Sequence, residues 1–146
     1  NPELIKMLEA PEQDISELIT TSINCKLELM TRDPFFLSFG QPFSDAIQGH
    51  FRFLKYSHGE SVALGMLASS PSERLTDLLE KYKLPVTIEG VTSETLVRRA
   101  AKICQLHGHQ YRFIKVQAPG QIQIESIESE DYEKVLAKMI TVIENK

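Results

Sequence analysis

A chain of 146 residues, 42% hydrophobic and 25% charged, has the size and composition of a single folded domain that needs no disulfide or metal to hold its core. Its formal net charge of -4 gives no attraction to a phosphate backbone, so no nucleic-acid partner is expected. The apolar runs are far shorter than the roughly 20 residues of a membrane span, and no basic-then-apolar leader opens the sequence, so the expectation is a cytoplasmic protein with no membrane partner.

In chain order, Pro2 to Glu9 predict a short helix that Ala10-Pro11 ends, because proline removes a donor and disfavours helix in the residue before it. Asp14 then reads as an N-cap with Glu17 three residues on, and Ile15, Leu18, Ile19, Ile23, Leu27 and Met30 carry a long helix to about Thr31. Asp33-Pro34 breaks it. The apolar cluster Phe35, Phe36, Leu37 and Phe39 leads through Gly40 and Pro42 into a buried helix over Phe43 to Gln48. Another helix begins near His58 and is apolar nearly all round at Val62, Leu64, Met66 and Leu67, which makes it central.

Ser70-Pro71 is the pattern of a capping serine followed by a first-turn proline, so a helix is predicted from there to Leu84-Pro85. Thr92 or Ser93 caps the next, which carries Leu96, Val97, Ala100, Ala101 and Cys104. Tyr111, Phe113 and Ile114 to Val116, then Ile122 and Ile124, flank Ala118-Pro119-Gly120 as a β-hairpin. Ser129 caps a last helix with a Tyr132, Val135, Leu136, Met139, Ile140, Ile143 stripe. The fold class is mainly α, a helical bundle-like domain with one small β-hairpin, occupying residues 1–146. Cys25 and Cys104, in separate helices without a Cys-x-x-Cys pair, read as buried free thiols.

Lys26 projects within about 20° of both Ile15 and Ile19, so it sits inside the apolar stripe of the long helix and must snorkel or meet an anion. His58-Gly59-Glu60 at a helix start is open to either a ligand role or a hydrogen-bonded structural one. His107 and His109 flank Gly108, a pair that seeds a metal site only where further ligands converge, and His50 is read in the same way. No Gly-x-Gly-x-x-Gly, Gly-x-x-x-x-Gly-Lys or Gly-x-Ser-x-Gly occurs, so no nucleotide cradle or nucleophile elbow is encoded.

Two blocks carry a resemblance. Phe39-Gly40-Gln41-Pro42-Phe43-Ser44-Asp45-Ala46-Ile47 resembles the Phe-Gly-His-Thr-Phe-Gly-His-Ala-Ile signature of the 3-dehydroquinate synthase family, and Ser57 to Met66 resembles its His-Gly-Glu-Ala-Val-Ala-x-Gly-Met segment at the same separation. Ser22-x-x-x-Lys26 and Leu84-Pro85 extend the likeness to both sides. It implies the C-terminal half of an enzyme that cyclises a heptulosonate phosphate with phosphate elimination in the shikimate route to aromatic amino acids, using NAD held by an N-terminal Rossmann-like half and a zinc ion. It implies that His58 is a metal ligand and that Lys26 and Lys102 contact an anionic substrate.

The departures fall on the chemistry. The family's first signature histidine, a metal ligand, is Gln41 here, and its second, a proton-handling residue, is Asp45. An amide is a poor zinc ligand, and a carboxylate does not reproduce imidazole acid-base behaviour near neutral pH. The family's Arg and Asn before the signature fall on Pro34 and Ser38, and its Asp-Lys-Lys before the hairpin becomes Ala100, Ala101 and Lys102. Of three zinc ligands only His58 remains, so the isolated chain is expected to hold no cofactor and to be inactive by itself. Its expected partner is a Rossmann-like N-terminal domain or a second copy. The alternatives are a non-catalytic scaffold or interaction domain on the same fold, and a relative of the iron-dependent alcohol dehydrogenases, which share the His-Gly element.

Overall fold

The computed structural model describes residues 1–106, 112–128 and 130–144. Seven α-helices, one 3₁₀ segment and one hairpin follow in the order α1 (Pro2–Glu9), α2 (Ile15–Arg32), the 3₁₀ segment Pro34–Ser38, α3 (Gln41–Phe51), α4 (His58–Ser69), α5 (Glu73–Lys81), α6 (Ser93–Leu106), β1 (Arg112–Ala118), β2 (Gln121–Ser126) and α7 (Tyr132–Ile140). This is the mainly helical domain with one small hairpin that the periodicities imply. Among the described residues no helix is long and apolar enough to cross a membrane.

The core is built by α3, α4, α6 and α7. Phe43, Ile47, Leu64, Leu96, Leu136 and Ile140 are all essentially inaccessible, and α3 lies between α4 and α6 while α7 closes over α6. The central position of α4 follows from its composition, since Ala63, Leu64, Leu67 and Ala68 are buried on more than one side of the helix. Its start is a full capping box: Glu60 N–H donates to Ser57 Oγ at 3.3 Å, and Ser57 N–H donates to the Glu60 carboxylate at 2.8 Å.

The antiparallel approach of α3 and α4 is set by two glycines. Gly40 has φ 76° and caps α3, and a Cβ placed on it would lie 2.6 Å from Met66 N; a Cβ on Gly65 would strike the Gly40 carbonyl oxygen. Backbone therefore meets backbone at this crossing. At the far end of α3, Arg52 (φ 51°) takes the left-handed position after the helix, with Phe53 N–H donating to Gln48 O at 3.0 Å. That geometry favours glycine, so Arg52→Gly should stabilise the domain by about 1 kcal/mol, read as a higher urea midpoint at unchanged slope.

Several element starts differ from those the sequence predicts. The buried helix begins at Gln41 rather than Phe43, because Pro42 occupies the first turn, where its missing N–H costs nothing. The helix predicted from Ser70-Pro71 begins instead after Ser72, whose Oγ accepts from Leu75 N–H at 3.2 Å. Ser70 is otherwise engaged: its hydroxyl donates to Val116 O at 2.7 Å and accepts from Val116 N–H at 3.0 Å, which fastens the hairpin to the end of α4. Thr92 caps α6, its Oγ accepting from Thr95 N–H at 3.3 Å. The cap predicted at Ser129 and the residues Tyr111, His107 and His109 lie outside the described residues.

The hairpin pairs Ile114 with Ile124 and Val116 with Ile122, with an irregularity between Val116 and Ala118. Cys104 is buried and Cys25 half-buried, and no disulfide joins them. The largest departure concerns α2. Its apolar stripe does not enter the core: Ile15, Ile19, Ile23, Leu27 and Met30 are 61%, 54%, 54%, 54% and 46% exposed, and no α2 residue is buried.

Candidate functional site

The residues of the signature converge on one cavity of about 120 Å³ beside the start of α3. Gln41 and Asp45, one helical turn apart on the same face, form one wall. Ser38 and Phe35 from the 3₁₀ segment, Cys104 from α6 and Arg112 from β1 are among the other residues that line it. Gln41 is exposed as the first residue of its helix, and Asp45 is half-buried.

Arg112 is the charged group of the cavity that no motif or spacing singles out. Its guanidinium lies 3.3 Å from the Asp33 carboxylate and 4.3 Å from the centre of the Phe35 ring, both residues far away in the chain. Asp33 also accepts from Phe35 N–H at 2.8 Å, so one aspartate shapes the 3₁₀ segment and orients the arginine. The pair is partly exposed, and its worth is positional rather than energetic. No sequence signal marks such a contact, because it depends on β1 lying against the 3₁₀ segment.

His58 is exposed at the opposite end of the α3–α4 pair from the glycine crossing. Its Nδ1 lies 3.2 Å from Gln48 Nε2, and that buried amide also donates to Ser44 O at 3.3 Å. Gln41 and Gln48 are seven residues apart, so about 10 Å of helix rise separates Gln41 from the residue that His58 meets. Glu60 of the same His-Gly-Glu is committed to the capping box. Hydrogen bonds from Ser57 hold its carboxyl below the usual carboxylate range.

The other sequence candidates do not join the cavity. Lys26 is exposed on α2 and Lys102 is exposed on α6, and neither lines it. Ala100 and Ala101 are buried in the core, so two of the three positions matching Asp-Lys-Lys here serve packing. His50 meets the Phe51 ring edge-on at 4.6 Å between centroids.

The donor set does not fit a catalytic zinc. Among the described residues no group of three or more His, Cys, Asp or Glu side chains is placed to hold a metal ion. The cavity presents an amide, a carboxylate and a guanidinium, which suit hydrogen bonding to a small polar molecule better than metal coordination.

The family model described as 3-dehydroquinate synthase C-terminal matches residues 3–104. The chain is 26% identical over 158 residues to a 3-dehydroquinate synthase of Clostridium acetobutylicum, covering 92% of this chain and 44% of that protein. It is 28% identical to the enzyme of that name from Enterococcus faecalis, over 82% of this chain and 40% of that protein. With the one of Clostridium perfringens it shares 31% identity over 69% of this chain and 34% of that protein. The chain thus spans less than half the length of these relatives. With the two signature blocks sitting on α3 and α4 and the match running from α1 into α6, this chain belongs to the 3-dehydroquinate synthase C-terminal family.

Proposed function

We propose that this chain is the C-terminal domain of a 3-dehydroquinate synthase-like protein that has kept the family's helical packing and lost its metal and proton-handling groups. The observation that carries this reading is the composition of the cavity wall, where Gln41 and Asp45 stand at the two histidine positions. The isolated chain does not carry out the family's cyclisation. Hydride transfer needs a bound nicotinamide, and a Rossmann-like domain holding one would have to be supplied by residues other than these. Two cysteines without a disulfide between them agree with a reducing, cytoplasmic setting.

The scaffold reading differs only in what the domain does now. It is favoured to the extent that Ala100 and Ala101 have been absorbed into the core and His58 is bonded to Gln48.

Two measurements on the same protein test the proposal. With NAD and zinc supplied, the chain should release no phosphate from the heptulosonate phosphate above background. In titration calorimetry it should bind zinc no better than a protein with one surface histidine, and Gln41→His should leave binding at that level, since about 10 Å of helix rise separates position 41 from the Gln48 that meets His58 and the two imidazoles do not converge. Catalytic phosphate release, or stoichiometric zinc binding by the parent that His58→Ala abolishes, would overturn it.

A further inference from the structure

A second cavity, of about 260 Å³ against about 120 Å³ for the one beside α3, shares no lining residue with it. Four elements wall it: Ile5 comes from α1, Met66 from α4, Leu75 and Leu78 from α5, and Val116 and Ala118 from β1. Its polar side chains are committed elsewhere in three cases, Ser70 to Val116, Ser72 to the α5 cap and Gln117 to Gln123. What remains is an apolar wall with one charged group, Arg74, which is the usual make-up of a small-molecule site.

The α1 helix lies over this cavity as a strap. Its first residue sits against the hairpin turn, where a Cβ added to Gly120 would lie 3.3 Å from the Pro2 ring. Its far end is tied to α5: Lys81 Nζ donates to Leu8 O at 2.6 Å and to Ala10 O at 2.7 Å, and Tyr82 Oη donates to Leu8 O at 2.9 Å. Ile5 stands midway between the two ties and lines the cavity, and no α1 residue is buried. Arg74 completes the far tie, its Nε donating to one carboxylate oxygen of Glu9 and its Nη2 to the other at 2.7 Å. Those bonds hold the Glu9 carboxyl below the usual carboxylate range.

We propose that this cavity binds a small amphipathic carboxylate, a medium-length fatty acid whose chain lies on the apolar wall and whose carboxylate takes the place of Glu9 on Arg74. Glu9 already shows the arrangement, because a planar guanidinium matches two carboxylate oxygens at once. Arg74 and Glu9 are 50% and 39% exposed, so one carboxylate exchanges for another without burying a charge. Between Pro2 and Glu9 α1 rises about 10 Å, a length that suits a chain of about eight carbons. The other acids of α1, α5 and the turn after α1, namely Glu3, Glu12, Glu73, Asp77 and Glu80, are exposed, and none lines the cavity. They offset Lys6 and Lys81 on the same helices, so recognition rests on the direct bonds to Arg74 and not on the field of this face. This inference does not depend on what the cavity beside α3 does.

Titration calorimetry of the chain with octanoate tests it. Octanoate should bind one to one with a Kd on the order of 1 mM or tighter. Octylamine and 1-octanol, which lack the carboxylate, should bind about tenfold more weakly or worse. Glu9→Gln should tighten octanoate binding about threefold or more, since the resident carboxylate no longer competes, and Arg74→Gln should weaken it about tenfold. Leu78→Trp, which fills the cavity, should abolish binding in a protein whose far-UV spectrum matches the parent's. Should that variant fail to fold, the exposed pair Glu9→Gln and Arg74→Gln decides the matter. No octanoate binding up to about 10 mM overturns the proposal. So does equal affinity for 1-octanol, or a Glu9→Gln protein that binds octanoate no better than the parent, either of which leaves the Glu9 and Arg74 pair as a structural clasp alone.

Discussion

Gly65→Ala should destabilise the domain by at least about 3 kcal/mol, although alanine is the better helix former by roughly 1 kcal/mol. The added methyl group would fall on the Gly40 carbonyl oxygen, with the Gly40 carbonyl carbon and Cα also within close contact. None of these atoms is the end of a flexible side chain that could turn aside. Relief requires α3 and α4 to separate, and that separation opens the packing of Phe43, Ile47 and Leu64 along the whole crossing. Urea unfolding gives the comparison directly. Gly59→Ala is the control, since a methyl there meets nothing within 4 Å and should leave stability equal or higher. A Gly65→Ala protein as stable as the parent would show that the helices do not cross at this distance.

Ser70→Ala should be the next most damaging of these changes, at about 2 kcal/mol, because it strands two backbone groups at once. The hydroxyl bonds both the N–H and the C=O of Val116 from a position only 8% exposed, so solvent cannot readily take its place. The loss should appear both as a lower urea midpoint and as faster amide hydrogen exchange at Val116 than at Ile114, the next residue on the same side of the strand. Equal protection in parent and variant would mean that the hairpin is held by its side chains alone.

These residues also mark where the sequence was legible and where it was not. Local rules placed the seven helices and the hairpin of the described residues, because caps such as Asp14 and stripes such as Tyr132-Leu136-Ile140 are encoded within a few residues of the feature they specify. They failed at Ser70, where the chain offers two serines around one proline and a residue 46 positions away decides between them. Periodicity established that α2 has an apolar face but said nothing of what covers it, and the stripe lies at the surface. The candidate site was legible as to Gln41 and Asp45 through the resemblance. Arg112 was not, since its place in the cavity follows from a tertiary contact with Asp33 and Phe35. His58 stood at the predicted helix start, but its bond to Gln48 required knowing that α3 and α4 run antiparallel.

The glycine crossing explains how a family stays recognisable at low identity. Gly40 and Gly65 are held by geometry, one by a left-handed backbone and both by the absence of room for a methyl group, so exchange at either is penalised whatever the protein now does. Gln41 lies next to one of them, at an exposed helix start where a change of side chain costs the fold little. The letters that betray ancestry are therefore the structural ones, while the exposed position beside them is free to vary.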